Sequence, residues 1–131
     1  MALMNFELVS PERLLISAEV RQVTVPGTEG LFTVMPNHAP VLSSLRPGVV
    51  EVVMADGAED RIFVRGGFAE VNNTGLTVLA EVAIPLAQLD SAALDKQVGD
   101  AEEDVADAQD DETRRRAQES LDHLRELRQA L

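Results

Sequence analysis

An all-β sandwich of about eight to ten short antiparallel strands, followed by a C-terminal αα-hairpin, is the fold class this sequence predicts. Three observations predict it. Short runs of alternating apolar residues, separated by turn signals, fill residues 1–84. Seven of the eight glycines fall before residue 76, and the prolines stop at Pro85. Beyond that point two apolar stripes recur at helical spacing. The chain therefore divides into a turn-rich domain, 1–84, and a helix-forming tail, 85–131.

The β runs read, in order, FELV, RLLIS, QVTV, LFTV, VVEVVM, RIFV, FAEV and LTVLAEV. Asp56-Gly57 between the fifth and sixth is a hairpin signal, and Asn72-Asn73-Thr74-Gly75 is a longer one. Gly66-Gly67 lies inside a strand-like stretch and reads as a bulge or close backbone approach rather than a ligand site.

In the tail, Pro85 cannot sit inside a helix, and Asp90 is the expected N-cap of the first helix. Leu94, Val98, Ala101, Val105 and Ala108 then step by four and three alternately, which makes one helical stripe. Gln109-Asp110-Asp111 breaks the pattern and offers a new N-cap. Ala117, Leu121, Leu124, Leu127 and Leu131 form the second stripe, and facing stripes with a tight link make a hairpin. The expected N-terminal helix is acidic, since Asp100 to Glu112 holds eight acids and no base. The second carries Arg114, Arg115, Arg116, Arg125 and Arg128. Three arginines near a helix start oppose the macrodipole, so an acidic surface elsewhere is expected to compensate.

Composition excludes several function classes. The 131 residues include no cysteine, so disulfides, thiolate metal sites and cysteine nucleophiles are ruled out. A formal charge of −12 argues against phosphate backbones and anionic lipid as partners. Residues 1–84 carry ten acids against five arginines, net −5, and the shorter tail thirteen against six, net −7. The first residues lack a basic n-region, so no signal peptide is expected, and no window is apolar enough to insert into a membrane. The expectation is a soluble intracellular chain unless a partner holds it elsewhere.

Chemistry-bearing motifs are absent. The phosphate-cradling GxxxxGK[ST] and GxGxxG loops do not occur, and Gly27-Thr28-Glu29-Gly30 is a turn containing an acid. GxSxG is missing too, which leaves Ser43 and Ser44 as generic polar residues. The two histidines, His38 and His123, stand in different segments without the acid spacing of a zinc site. No catalytic, cofactor-binding or metal-ligating residue is expected. His38 nevertheless sits in VMPNHAPVLSSLRPG, residues 34–48, where Pro36 and Pro40 limit backbone freedom and lower the entropy lost on docking. A docking surface, an enzyme cleft near His38, and a free-standing β-sandwich binding module with an acidic solubilising tail are the readings the residues leave open.

The stretch VTVPGTEGLFTVMPNHAPVLSSLRPG at 23–48, with FVRGGFAEV at 63–71 and the order sandwich then hairpin, resembles the epsilon subunits of F-type ATP synthases. The similarity covers the whole chain, and the absence of a transit segment points to the bacterial branch. The resemblance implies a non-catalytic subunit of the rotating central stalk, on the cytoplasmic face of the inner membrane. Its sandwich would lie against the gamma subunit and the c-ring, coupling proton-driven rotation to ATP synthesis. Thr28, Glu29, Gly30, Leu31, His38, Ala39 and Pro40 would form the c-ring-facing loops. The hairpin would fold on the sandwich or extend along gamma, where in some relatives it inhibits ATP hydrolysis. The five arginines of the second helix are then candidate contacts to the beta subunit.

Two departures from the family pattern stand out. Leu31 occupies a position where many relatives carry an acid, so one contact to the c-ring is expected to be apolar. Relatives that bind ATP in the folded hairpin open it with [IL]-D-x-x-R-A, whereas this chain reads Leu89-Asp90-Ser91-Ala92-Ala93-Leu94. Ala93 removes the charged fork a phosphate needs, so ATP binding is not expected.

Overall fold

The computed structural model describes residues 2–131. Chain contacts divide it after Ala87, into a β unit and the unit Gln88–Leu131.

Nine strands are found among the described residues: β1 Met4–Val9, β2 Leu14–Gly27, β3 Gly30–Val34, β4 Val41–Ser44, β5 Gly48–Met54, β6 Glu59–Arg65, β7 Phe68–Val71, β8 Gly75–Leu79 and β9 Val82–Pro85. They hydrogen-bond in the order β4-β7-β8-β1-β2-β5-β6-β9, with β3 also paired to β2. The first half of β2 pairs with β1 and its second half with β5 and β3, so one long strand serves both layers of the sandwich. Every pairing is antiparallel except β1 with β8, which run parallel.

The runs RLLIS and QVTV, separate in the sequence pattern, belong to the single 14-residue strand β2. A parity argument explains the join. Val20 and Val23 are both fully buried, yet an odd spacing would send them to opposite faces of a regular strand. The pairing register with β5 slips between Val20 and Gln22, and this bulge at Arg21 returns Val23 to the core. Arg21 is turned outward there, and its Nε donates to the Ala55 carbonyl at 3.1 Å.

Three further details differ from the sequence pattern. LTVLAEV breaks into β8 and β9, with Pro85 closing β9 opposite Ile62. Val41–Ser44 is a strand, paired with β7. Gly66-Gly67 links β6 to β7 rather than forming a bulge, with φ of 73° and 89°, and it is the close backbone approach that the sequence also indicated. A side chain at Gly67 would drive its Cβ into the Leu79 carbonyl, so only glycine fits. The Asp56-Gly57 turn forms as the pattern indicates, with Gly57 at φ 90° and the Ala58 amide on Asp56 Oδ1 at 2.9 Å.

The core is continuous through the β unit. Phe6, Leu8, Val20, Val23, Val25, Val34, Val50, Val52, Val64 and Val78 are fully buried within it. Burying such aliphatic and aromatic side chains stabilises by about 1.5–3 kcal/mol each, which is what holds the layers together.

The second unit is a pair of helices, α1 Ser91–Asp107 and α2 Asp111–Ala130. Asp90 caps α1 through the amides of Ala92 and Ala93, and Asp110 caps α2 through that of Thr113. Leu94, Ala101 and Leu121 are buried on the two stripes, whereas Leu131 is 43% exposed beyond the end of α2. The arginines at the start of α2 need no remote acidic surface. Asp111 and Glu112 open the helix, and Arg114 pairs with Asp111, Arg115 with Glu112 and Glu119, and Arg116 with Glu112.

Candidate docking surface

Strand β2 turns into β3 through Thr28 and Glu29, with Gly27 opposite Gly30. Gly30 takes φ 132°, a conformation that favours glycine and lets the turn close in two residues. β4 is fastened beside this turn. The Thr28 amide donates to the Ser44 carbonyl and the Arg46 amide to the Pro26 carbonyl, each at 3.0 Å. Gly27 is needed for that approach, because a Cβ there would lie 2.9 Å from both the Phe32 ring and the Ser43 hydroxyl.

Between the turn and β4 lies an open cleft of about 430 Å³, lined by Thr28–Phe32 on one side and Val41–Ser44 on the other. Glu29 is the one ionisable residue in that lining. Leu31, Val41 and Leu42 are 64%, 38% and 69% exposed, so three large apolar side chains face solvent around a single carboxylate. Water gains nothing from such a rim, and a protein partner does.

The loop bearing His38 is elsewhere. It comes after β3, so the length of that strand, roughly 13 Å for four residue steps, separates the Thr28-Glu29 turn from the start of the loop. Asn37 adopts φ 68°, the His38 amide donates to the Met35 carbonyl at 3.1 Å, and His38 Nδ1 lies 2.7 Å from the Ala39 carbonyl. The half-buried His38 borders a hollow of about 60 Å³ with Met4, Val34, Pro36 and Val71 among its walls, and no other ionisable side chain lines it. The ring lies against its own backbone, no carboxylate lines the hollow, and the hydroxyl of Thr74, which also borders it, donates to Asn72 Oδ1 at 2.8 Å. Ala39 and Pro40 are exposed in the same loop.

Thr28, Glu29, Gly30 and Leu31 thus share one cleft, and His38, Ala39 and Pro40 lie outside it. Phe32, Val41 and Leu42 line the cleft as well, and the sequence pattern did not single them out. Two adjacent apolar residues in VLSS were the available signal for a strand with one outward-facing leucine. On α2, Arg125 and Arg128 reach across to Glu102 at 3.9 Å and Asp95 at 2.6 Å on α1. Among the described residues, no three His, Asp or Glu side chains are grouped to hold a metal ion, and no helix is long and apolar enough to cross a membrane.

Known proteins share this geometry. The family model for the ATP synthase delta/epsilon chain β-sandwich domain matches residues 3–86. The chain is 58% identical to the ATP synthase epsilon chain of Parvibaculum lavamentivorans, over 95% of both chains. It is 48% identical to that of Mesorhizobium japonicum, over 97% of this chain and 94% of the relative. Among solved structures, a chain of the Euglena gracilis mitochondrial ATP synthase, in an OSCP/F1/c-ring assembly, superposes with a TM-score of 0.80 at 27% identity. That alignment covers 99% of this chain and 82% of the other. A chain of the Tetrahymena thermophila mitochondrial enzyme shares the fold, with a TM-score of 0.65 at 14% identity. A sandwich matched along its whole length and relatives matched from end to end carry one conclusion: the chain belongs to the ATP synthase delta/epsilon family, as an epsilon chain.

Proposed function

We propose that this chain is a non-catalytic rotor subunit of the central stalk, peripheral on the cytoplasmic face of a bacterial inner membrane. In this reading its sandwich docks on the gamma subunit and the c-ring, and so couples proton-driven rotation to ATP synthesis. The observation that carries it is the cleft beside the Thr28-Glu29 turn. An exposed apolar rim of Leu31, Val41 and Leu42 around one carboxylate has the composition of a contact surface, not of a reaction centre. The likeness to a chain within an F1/c-ring assembly supports the same partners. Glu29 and Leu31 meet the polar loops of the c-ring, and the loop of His38, Ala39 and Pro40 extends the contact beyond the cleft.

The hairpin is the regulatory part of this reading. Extended along gamma, α2 would bring Arg114, Arg115 and Arg116 to an acidic surface of the beta subunit and restrain hydrolysis. That contact must exchange the intrahelical partners of these arginines for new ones, so the inhibition is weak. Nucleotide is not bound, since Ala93 offers no charge to a phosphate.

The test replaces Glu29 by Lys together with Leu42 by Asp in the reconstituted complex. ATP-driven proton pumping is compared with hydrolysis, each per assembled complex. Pumping is expected to fall while hydrolysis by the catalytic head is retained. Unchanged pumping from a fully assembled complex would sink the assignment of this cleft to the c-ring.

A further inference from the structure

The chain has no cysteine, tryptophan or tyrosine, which leaves its four methionines as the side chains most readily oxidised. The fold separates those it describes. Met4 is 5% exposed within the core, and Met54 is half-buried and packs against it. Met35 is 52% exposed. Met1 lies outside the described residues.

The backbone keeps Met35 in that position. Val34, the last residue of β3, is fully buried, and the next side chain along a strand points the other way. The chain then turns at once. The His38 amide donates to the Met35 carbonyl, with Pro36 second in the turn and Asn37 third at φ 68°. These residues suit a type II turn, where proline presets the first central φ and asparagine tolerates the positive second one. Met35 is therefore held outward by a stiff turn, with about half of its surface open to water.

Its neighbours give oxidation a consequence. Eight large apolar side chains are exposed among the described residues, and four of them, Leu31, Met35, Val41 and Leu42, fall within residues 31–42. Leu31, Val41 and Leu42 line the cleft, and Met35 opens the loop that carries His38. A thioether suits such company. A sulfoxide does not, because its S–O dipole must be hydrated or hydrogen-bonded.

We infer that Met35 is a site of reversible oxidation by hydrogen peroxide, and that its sulfoxide weakens the seating of the free chain in its complex. A sulfur lone pair attacks one peroxide oxygen, the O–O bond breaks and an S–O bond forms. Sulfur gives up two electrons, and the second oxygen leaves as water after taking the proton of the first. A thiol-dependent methionine sulfoxide reductase returns the two electrons, forming a disulfide and water. The oxidation stands on exposure and composition alone, whereas its effect on seating rests on the stalk reading. Docking covers Met35, so the reaction belongs to the chain before assembly.

The experiment treats the full chain with dilute hydrogen peroxide and locates the oxygen gained at each methionine by peptide mass mapping. Met35 is expected to react about tenfold faster than Met4 or more, since susceptibility follows exposure. Equal rates at Met35 and Met4 would overturn the site. Binding of the oxidised chain to the cognate complex prepared without it is expected to weaken about threefold to tenfold. Reductase with dithiothreitol is expected to restore it. Met35→Leu, compared before and after peroxide, is expected to lose the response, and an undiminished response would assign the effect to another methionine and overturn the proposal. The oxidised parent is expected to keep its unfolding temperature, and a lowered one would trace the loss to the core instead. Oxidation at Met35 with unaltered binding would overturn the effect on seating and leave the stalk reading standing. No binding by the untreated chain would overturn the stalk reading, while the mapping still decides the oxidation.

Discussion

Arg128 Nε donates to Asp95 Oδ1 at 2.6 Å, joining the last turn of α2 to the second turn of α1 across 33 residues of sequence. The pair closes the open end of the hairpin, opposite the Asp110 turn. Both side chains remain largely solvated, at 42% and 60% exposure, so screening keeps the interaction small. Arg128→Ala is expected to destabilise the hairpin by about 0.2–1 kcal/mol, and less at high salt. A double-mutant cycle with Asp95→Ala, followed by helix circular dichroism during thermal unfolding, measures the coupling. A coupling energy above about 2 kcal/mol would contradict the solvated view of this pair.

Two glycines should respond in opposite directions to the same substitution. Gly67→Ala forces a Cβ onto the Leu79 backbone at φ 89°, and should destabilise the sandwich by more than about 2 kcal/mol. Gly99 lies within α1, and a Cβ there meets nothing within 4 Å. Gly99→Ala should therefore stabilise the helix by about 0.5–1 kcal/mol, through the smaller backbone freedom of alanine in the unfolded chain. Denaturant midpoints of the two variants are the check. Equal shifts of the same sign would refute the argument from local space.

Asp110 should make the start of α2 acid-sensitive. The Thr113 amide and then the Thr113 hydroxyl, at 2.7 Å and 3.0 Å, hold its carboxyl below the ordinary aspartate value. A depressed folded pKa means that stabilisation is fully present above the unfolded value and is lost as pH falls through the folded one. The helix signal of the parent should thus melt earlier as pH drops below about 4. Asp110→Asn keeps an acceptor without a titrating charge, so its melting should depend less on pH in this range. Parallel acid profiles for parent and variant would show that the cap does not titrate with folding.

Ending the chain at Ala87 should leave a cooperatively folded sandwich. Its continuous core is drawn from Met4 to Ala83 and uses no residue of either helix. A single sigmoidal loss of β signal on heating is the expected result. A truncated chain without a transition would show that residues 88–131 are needed for the core to form.

Much of this architecture is local chemistry, and the sequence determined it. Period-two alternation marked most of the strands, and Asp56-Gly57 marked the β5–β6 turn. Steps of three and four set out both helices, with Asp90 and Asp110 in place as their caps. These features depend on side-chain period and on hydrogen bonds reaching two or three residues, so a short window contains them. Of the candidate site residues, those of the Gly27–Gly30 turn and of the proline-stiffened His38 loop were visible in the same way.

Only the tertiary structure decided the rest, and the reason is that strand pairing is non-local. RLLIS and QVTV form one strand because both Val20 and Val23 must be buried, which requires partners in β1 and β5. The parallel contact of β1 with β8 joins segments about 70 residues apart, as their register pairs Asn5 with Gly75. Val41–Ser44 alternates too weakly to declare itself a strand, and it becomes one because β7 offers an edge. That pairing puts Leu42 at the cleft beside Glu29. Phe68, Leu79, Val9 and Leu14 look like unrelated apolar residues until register sets each opposite the next. A sequence states which side chains alternate, but the partners of each strand decide which of them meet on an exposed face.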